Sequence, residues 1–124
     1  MLADKNAVAN IAVKNLDTAG KFYQDTLGLT KIKAEGDALV FKSGNSLINV
    51  YRSNYAGTNK ATAVTWAVGA ELENVIRALT AKGVKFEHYD MPGMRRDNDV
   101  HIAGDMKVAW FQDPDGNILN IVNQ

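Results

Sequence analysis

Two histidines, His88 and His101, are the only imidazoles in 124 residues, and there is no cysteine. An imidazole can act as general base, proton shuttle or metal ligand. A metal at either one would need further donors, and the carboxylates nearest in sequence are Asp90, Asp99 and Asp105. The plainer reading makes both ordinary surface histidines. His101 becomes the candidate catalytic base if the long segment 90–105, DMPGMRRDNDVHIAGD, folds over a cleft. In that segment Met91 and Met94 offer adaptable apolar contact. Arg95 and Arg96 could pair with an anionic ligand, or simply with neighbouring aspartates. Tyr55 and Tyr89 could be pocket walls or dimer contacts. The missing cysteine removes disulfides, zinc-thiolate sites and a thiol nucleophile. No Ser-His-Asp arrangement, phosphate-binding glycine loop or paired-carboxylate motif is readable.

The elements that must position these residues centre on FQDPDGNILNIV, residues 111–122. Asp113-Pro114-Asp115-Gly116 is a turn with a mechanism. Proline presets φ, Asp113 can bond back to the backbone, and Gly116 tolerates positive φ. The chain re-enters as a strand from Asn117 to Val122, with Asn120 a polar residue in an apolar run. Upstream, residues 6–14 alternate as a strand, with Ala9, Ile11 and Val13 on one face. Asn15 or Asp17 caps a helix that carries Ala19, Phe22, Tyr23 and Leu27 and ends at Gly28. Strands follow at 29–34, 38–42 and 47–51. After the polar stretch 53–60 the order restarts: strand 62–68, helix 71–82, Gly83, strand 84–89, the long irregular segment, then strands 107–111 and 117–122. Val13 and Gly28 match Val68 and Gly83 at one offset of 55 residues. The chain therefore reads as two tandem βαβββ modules, 6–52 and 61–124, joined by a 53–60 linker within one domain, 1–124. One sheet face is covered by the helix and the other must find cover, so two curling sheets would enclose a cleft.

Formal charge is zero, which leaves no basic footprint for nucleic acid or an anionic membrane. No run approaches the ~18 apolar residues of a membrane span. The first ten residues, MLADKNAVAN, lack the pattern of a signal peptide. A cytoplasmic location is expected.

NIAVKNLDTAGKFYQDTLGL near the start and WFQDPDGNILNIV at the end resemble the vicinal oxygen chelate superfamily. That superfamily includes glyoxalase I, extradiol dioxygenases, fosfomycin-resistance enzymes and bleomycin-resistance proteins. The resemblance covers essentially the whole chain. It implies an α+β fold of two βαβββ modules forming a curved mixed sheet around a cleft, and pairing as a homodimer. In metal-dependent relatives four cleft positions supply His, Gln and Glu ligands. Carried over by motif spacing, these fall on Val8, Asn49, Ala63 and Asn120. Two have no donor atom and two are neutral amides, so no metal site and no cofactor is expected. Strand parity puts Leu47, Asn49 and Tyr51 in the cleft with Val8, Asn10, Ala63, Thr65, Ile118 and Asn120. The resemblance adds Trp110 as a cleft aromatic, while Trp66 reads as core. Ligand contact is thus expected at Val8, Leu47, Asn49, Tyr51, Thr65, Trp110 and Asn120. The plainer alternative has Asn49 and Asn120 bonding each other or a water. The resulting expectation is a metal-independent binder of a small apolar or aromatic molecule. The alternative is a lyase, isomerase or dioxygenase using a relocated metal near His101, or metal-free acid-base catalysis.

Overall fold

A computed structural model describes all 124 residues, Met1–Gln124, as two compact units, residues 1–57 and 58–124. In the first, β1 (Ala9–Val13) buries Ile11 and Val13 and turns Asn10 and Ala12 the other way. The choice of helix cap falls to Asn15: its Oδ1 accepts from the Thr18 backbone N–H at 3.0 Å. Asp17 is left in the first turn of α1 (Leu16–Lys21), where its charge suits the helix dipole. The helix runs on through a π-helical segment, Phe22–Thr26. Gly28, at φ 77°, then turns the chain into β2 (Thr30–Glu35). Next come β3 (Ala38–Ser43) and β4 (Ser46–Arg52). The sheet order is β1-β4-β3-β2, with β1 parallel to β4 and the other pairs antiparallel. Ala19 and Tyr23 of the helical stretch are fully buried, as are Val13, Phe41 and Val50 of the sheet, and the Tyr23 ring lies 6.0 Å from Phe41. Each of the larger side chains among them contributes about 1.5–3 kcal/mol by leaving water. The edge strand β2 is exposed throughout, carries Lys31 and Lys33, and is bulged between them. These features discourage edge-to-edge pairing.

The second unit begins with β5 (Thr62–Ala67). Then α2 (Leu72–Ala81) buries Leu72, Ile76 and Leu79, and Gly83 follows it at φ 93°. The segment expected to be irregular is not. After the short β6 (Phe86–Glu87), only 88–94 is loop. β7 (Arg95–Asp97) and β8 (Val100–Ala103) form a hairpin closed by a two-residue turn. Asn98 sits in that turn at φ 54°, a left-handed conformation that asparagine tolerates. β9 (Met106–Gln112) and β10 (Ile118–Val122) complete a sheet of order β5-β10-β9-β8-β7. β6 and β8 share the same edge of β9, Phe86 opposite Phe111 and His101 opposite Val108. The second unit is therefore a six-stranded elaboration of βαβββ. The fold is α+β, two helices with mixed sheets of four and six strands.

The β9–β10 turn is built as its residues require. The Asp113 carboxylate accepts from the backbone N–H groups of Asp115 and Asn117, both at 2.9 Å, and from Asn117 Nδ2 at 2.8 Å. Gly116 takes φ 87°. This fixes the register in which Asn120 lies opposite Trp110.

Candidate ligand-binding face

Alternation divides the second sheet into two faces. Phe86, Ile102, Ala109, Phe111, Leu119 and Ile121 are buried on the side that shares its core with α2. Register places Thr65, Asn120, Trp110, Val108 and His101 on the other side: Thr65 pairs with Asn120, Asn120 with Trp110, and Val108 with His101. Trp66 lies on the helix side, as expected, but it is only half-buried and is not part of the buried core.

Ala63, expected on this face from strand parity, is not on it. β5 is bulged there: Thr62 pairs with Ile118 and Val64 with Leu119, so Ala63 has no partner across the ladder. Thr62 takes its place on the helix-free face, where its Oγ1 accepts from Trp110 Nε1 at 3.0 Å. Nothing in the sequence ATAVT marks the bulge.

His101 is not a surface histidine. It is 0% exposed, held within β8 rather than on a loop. Its ring meets Trp110 edge to face, with centroids 4.9 Å apart and planes at 83°. Tyr89 meets Trp110 likewise at 5.4 Å and 73°, and its ring centroid lies 5.9 Å from that of His101. These three rings form an aromatic cluster on the helix-free face. Burial, and then the nearby Glu87 carboxylate, raise the Tyr89 phenol above its ordinary 10.0, so it is a neutral hydroxyl at physiological pH.

The Tyr89 backbone N–H donates to His101 Nε2 at 2.8 Å. An amide N–H cannot accept, so Nε2 must be the bare nitrogen and a neutral ring carries its proton on Nδ1. That Nδ1 is buried and has no hydrogen-bond partner. Asn120, 7% exposed, likewise has a buried Oδ1 with no partner. The other imidazole, His88, is half-exposed and meets Asp99 Oδ1 at 2.8 Å.

In the first unit, Val8, Leu47, Asn49 and Tyr51 lie away from α1, and Val8, Leu47 and Tyr51 are exposed. Asn49 is engaged within its own unit. Its Nδ2 donates to Asn10 Oδ1 at 2.8 Å, across the β1–β4 pair. The expected ligand contacts thus divide into Thr65, Trp110 and Asn120 in the second unit, joined by His101, and Val8, Leu47, Asn49 and Tyr51 in the first. Two grooves, of about 200 Å³ beside α2 and about 340 Å³ beside α1, lie on the helix sides and are walled largely by charged residues. Glu73 and Lys107 in the first of these lie 3.8 Å apart. Their polar groups are solvated or paired, so it is the helix-free face that holds unsatisfied polar atoms.

The residues present do not fit a divalent metal. Motif spacing carries the ligand positions of metal-dependent relatives onto Val8, Asn49, Ala63 and Asn120, Thr62 stands on the face where Ala63 was expected, and no three His, Cys, Asp or Glu side chains gather anywhere in the chain. The Nε2 lone pair of His101 is already engaged.

The family model of the Glyoxalase/Bleomycin resistance protein/Dioxygenase superfamily matches residues 6–121, and the chain belongs to that superfamily. No curated protein matches it in sequence. Solved structures share its fold at low identity. An integron cassette protein from the mobile metagenome of the Halifax Harbour sewage outfall has a TM-score of 0.73 at 17% identity, covering 98% of this chain and 99% of that one. The genomically encoded fosfomycin resistance protein of Listeria monocytogenes has a TM-score of 0.72 at 14% identity, covering 94% and 89%. Lactoylglutathione lyase of Agrobacterium tumefaciens has a TM-score of 0.68 at 19% identity, covering 96% and 92%. No helix is long and apolar enough to cross a membrane.

Proposed function

We propose that this chain is a metal-independent small-molecule-binding member of its superfamily, with the ligand held on the helix-free face of the second sheet around Trp110. One observation carries the reading: on the face that bears Trp110, His101 Nδ1 and Asn120 Oδ1 are buried with no partner. A buried unsatisfied polar atom costs about 1–3 kcal/mol, and a bound molecule that satisfies it recovers that cost. Tyr89 and Trp110 supply the apolar, aromatic wall that small-molecule sites favour. The fosfomycin-resistance and lyase neighbours indicate that this fold serves small-molecule chemistry, but at their identities they speak for the fold alone.

An enzymatic reading, as lyase, isomerase or dioxygenase, would need either a relocated metal or a free base. The donor set argues against the first. The hydrogen bond from the Tyr89 N–H to His101 Nε2 argues against the second. The test is metal analysis of the as-purified protein by mass spectrometry, with thermal shifts in Ni²⁺, Zn²⁺, Mn²⁺ and Fe²⁺. The expected result is no metal near one per chain and no shift. A stoichiometric, stabilising metal would overturn the proposal.

A further inference from the structure

We infer that the helix-free face of the second sheet takes ligands carrying an ammonium group, held between the Glu87 carboxylate and the rings of Tyr89 and Trp110: amines on an apolar or aromatic body. The inference rests on the binding role proposed above and adds the charge of the ligand.

Register assembles the three residues. Glu87 lies directly opposite Trp110 across β6 and β9, and side chains so paired are neighbours on one face. Tyr89 follows Glu87 by two residues and packs on the same indole, with ring centroids 5.4 Å apart and planes at 73°. The indole is oriented by its bond from Nε1 to Thr62 Oγ1 at 3.0 Å. Glu87, Tyr89 and Trp110 are each half-buried, so all three keep surface that a ligand can reach. His101 and Asn120, by contrast, are buried.

Glu87 is a charge without a counter-charge. Its carboxylate enters no salt bridge and no side-chain hydrogen bond. Lys85, two residues before it, is exposed and not paired with it. Arg96, opposite His101 on the same face, sends Nη1 to the Asn98 carbonyl at 2.7 Å. After burial, the Glu87 charge is what raises the Tyr89 phenol above 10.0, which puts the carboxylate within electrostatic reach of that side chain.

A half-buried carboxylate with no partner has lost part of its hydration, and a cation set against it restores the lost stabilisation. The rings act in the same sense. Aromatic faces carry negative potential, and an ammonium group within about 6 Å of a ring centroid is attracted to it. Two rings near a right angle present a corner rather than a flat wall. Carboxylate and rings thus favour the same sign of charge at the same place, and both disfavour an anion. The body of the ligand rests on the remaining ring surface.

The test titrates ¹⁵N-labelled full-length protein at pH 7 and low ionic strength with three probes of similar size: benzylammonium, benzyl alcohol and benzoate. The readout is the indole N–H of Trp110, told apart from that of Trp66 by the Trp110→Phe variant. Benzylammonium should bind about tenfold more tightly than benzyl alcohol, and benzoate more weakly than either. Added salt should weaken benzylammonium and leave benzyl alcohol unchanged. In Glu87→Gln, which keeps the side-chain shape, the preference for the cation should shrink to about threefold, the share of the rings. Glu73→Gln removes a carboxylate from α2 instead and should leave the preference intact. If benzyl alcohol or benzoate binds as well as benzylammonium, the inference fails and the binding role stands. If the preference survives Glu87→Gln undiminished, or falls equally in Glu73→Gln, the cation is not held by Glu87 and the inference fails. If no probe moves the Trp110 signal up to its solubility limit, the binding role fails together with the inference.

Discussion

The two units place polar residues at equivalent points of their helix-free faces and treat them differently. Asn10 and Asn49 pair across β1 and β4, and the counterparts at the same places in the second unit are Thr65 and Asn120 across β5 and β10. In the first unit the amides answer each other at 2.8 Å. In the second, threonine is too short and differently shaped to do the same, and Asn120 Oδ1 is left buried without a partner. The second unit adds the β7–β8 hairpin, which brings in His101 and a second unsatisfied atom. One face has closed its polar accounts within the chain, while the other holds them open. A repeated module can thus keep its core while its two copies satisfy their polar groups differently.

The largest effects should come where the units are alike, on their helix-covered sides. Phe41→Ala and Phe111→Ala each remove a fully buried ring and should each lower stability by about 3–5 kcal/mol in urea unfolding. A large difference between the two would mean that the cores are not equivalent. Asp113→Ala removes the acceptor of three hydrogen bonds in the β9–β10 turn and should lower stability by about 2–3 kcal/mol. It should also disturb Trp110, since the turn sets the register that places it opposite Asn120. Trp110→Phe keeps an aromatic ring but loses the bond to Thr62, for about 0.5–1 kcal/mol, while ligand binding should suffer more than stability does.

The smallest effect should be a pH dependence at Tyr89. Its phenol is raised above 10.0, by burial first and by Glu87 second. The folded state therefore favours the neutral form. That stabilisation is complete below the pKa of the unfolded phenol and is lost as pH rises from about 10 through the folded value. The parent should lose stability relative to Tyr89→Phe over that range, read as a widening difference in Tm. A constant difference would place the phenol in water.

Most of the fold was legible in the sequence because its signals are local. Alternation gave most of the strands, Asn15 or Asp17 the cap, and Gly28 and Gly83 the helix ends. The Asp113–Gly116 turn gave the final hairpin. On the helix-free face of the second sheet, Thr65 and Asn120 were legible from parity and Trp110 from the family resemblance, and the register places all three there. What escaped depended on non-local pairing. The bulge at Ala63 exchanges Thr62 onto the face, and nothing local marks it. The β7–β8 hairpin hides in a polar stretch because its turn, Asn98-Asp99, and its strand β7 are all charged or amide residues. The usable signal was Val100 and Ile102 alternating with His101 and Ala103, which a strand explains and a solvated loop does not. His101 read as a surface residue because burial comes from what packs on it, Tyr89 and Trp110, and not from its own neighbours in the chain.

The comparison between the faces is tested most directly by one paired measurement, the stability of Asn49→Leu and Asn120→Leu in the absence of ligand. The two variants should differ in sign. Asn49→Leu strips Asn10 of its partner and should cost about 1 kcal/mol, whereas Asn120→Leu removes an unsatisfied buried oxygen and should gain about 1–2 kcal/mol, or several degrees in Tm. Equal losses in both variants would mean that Asn120 is as well satisfied as Asn49, and the second face would have no open polar atom to offer a ligand.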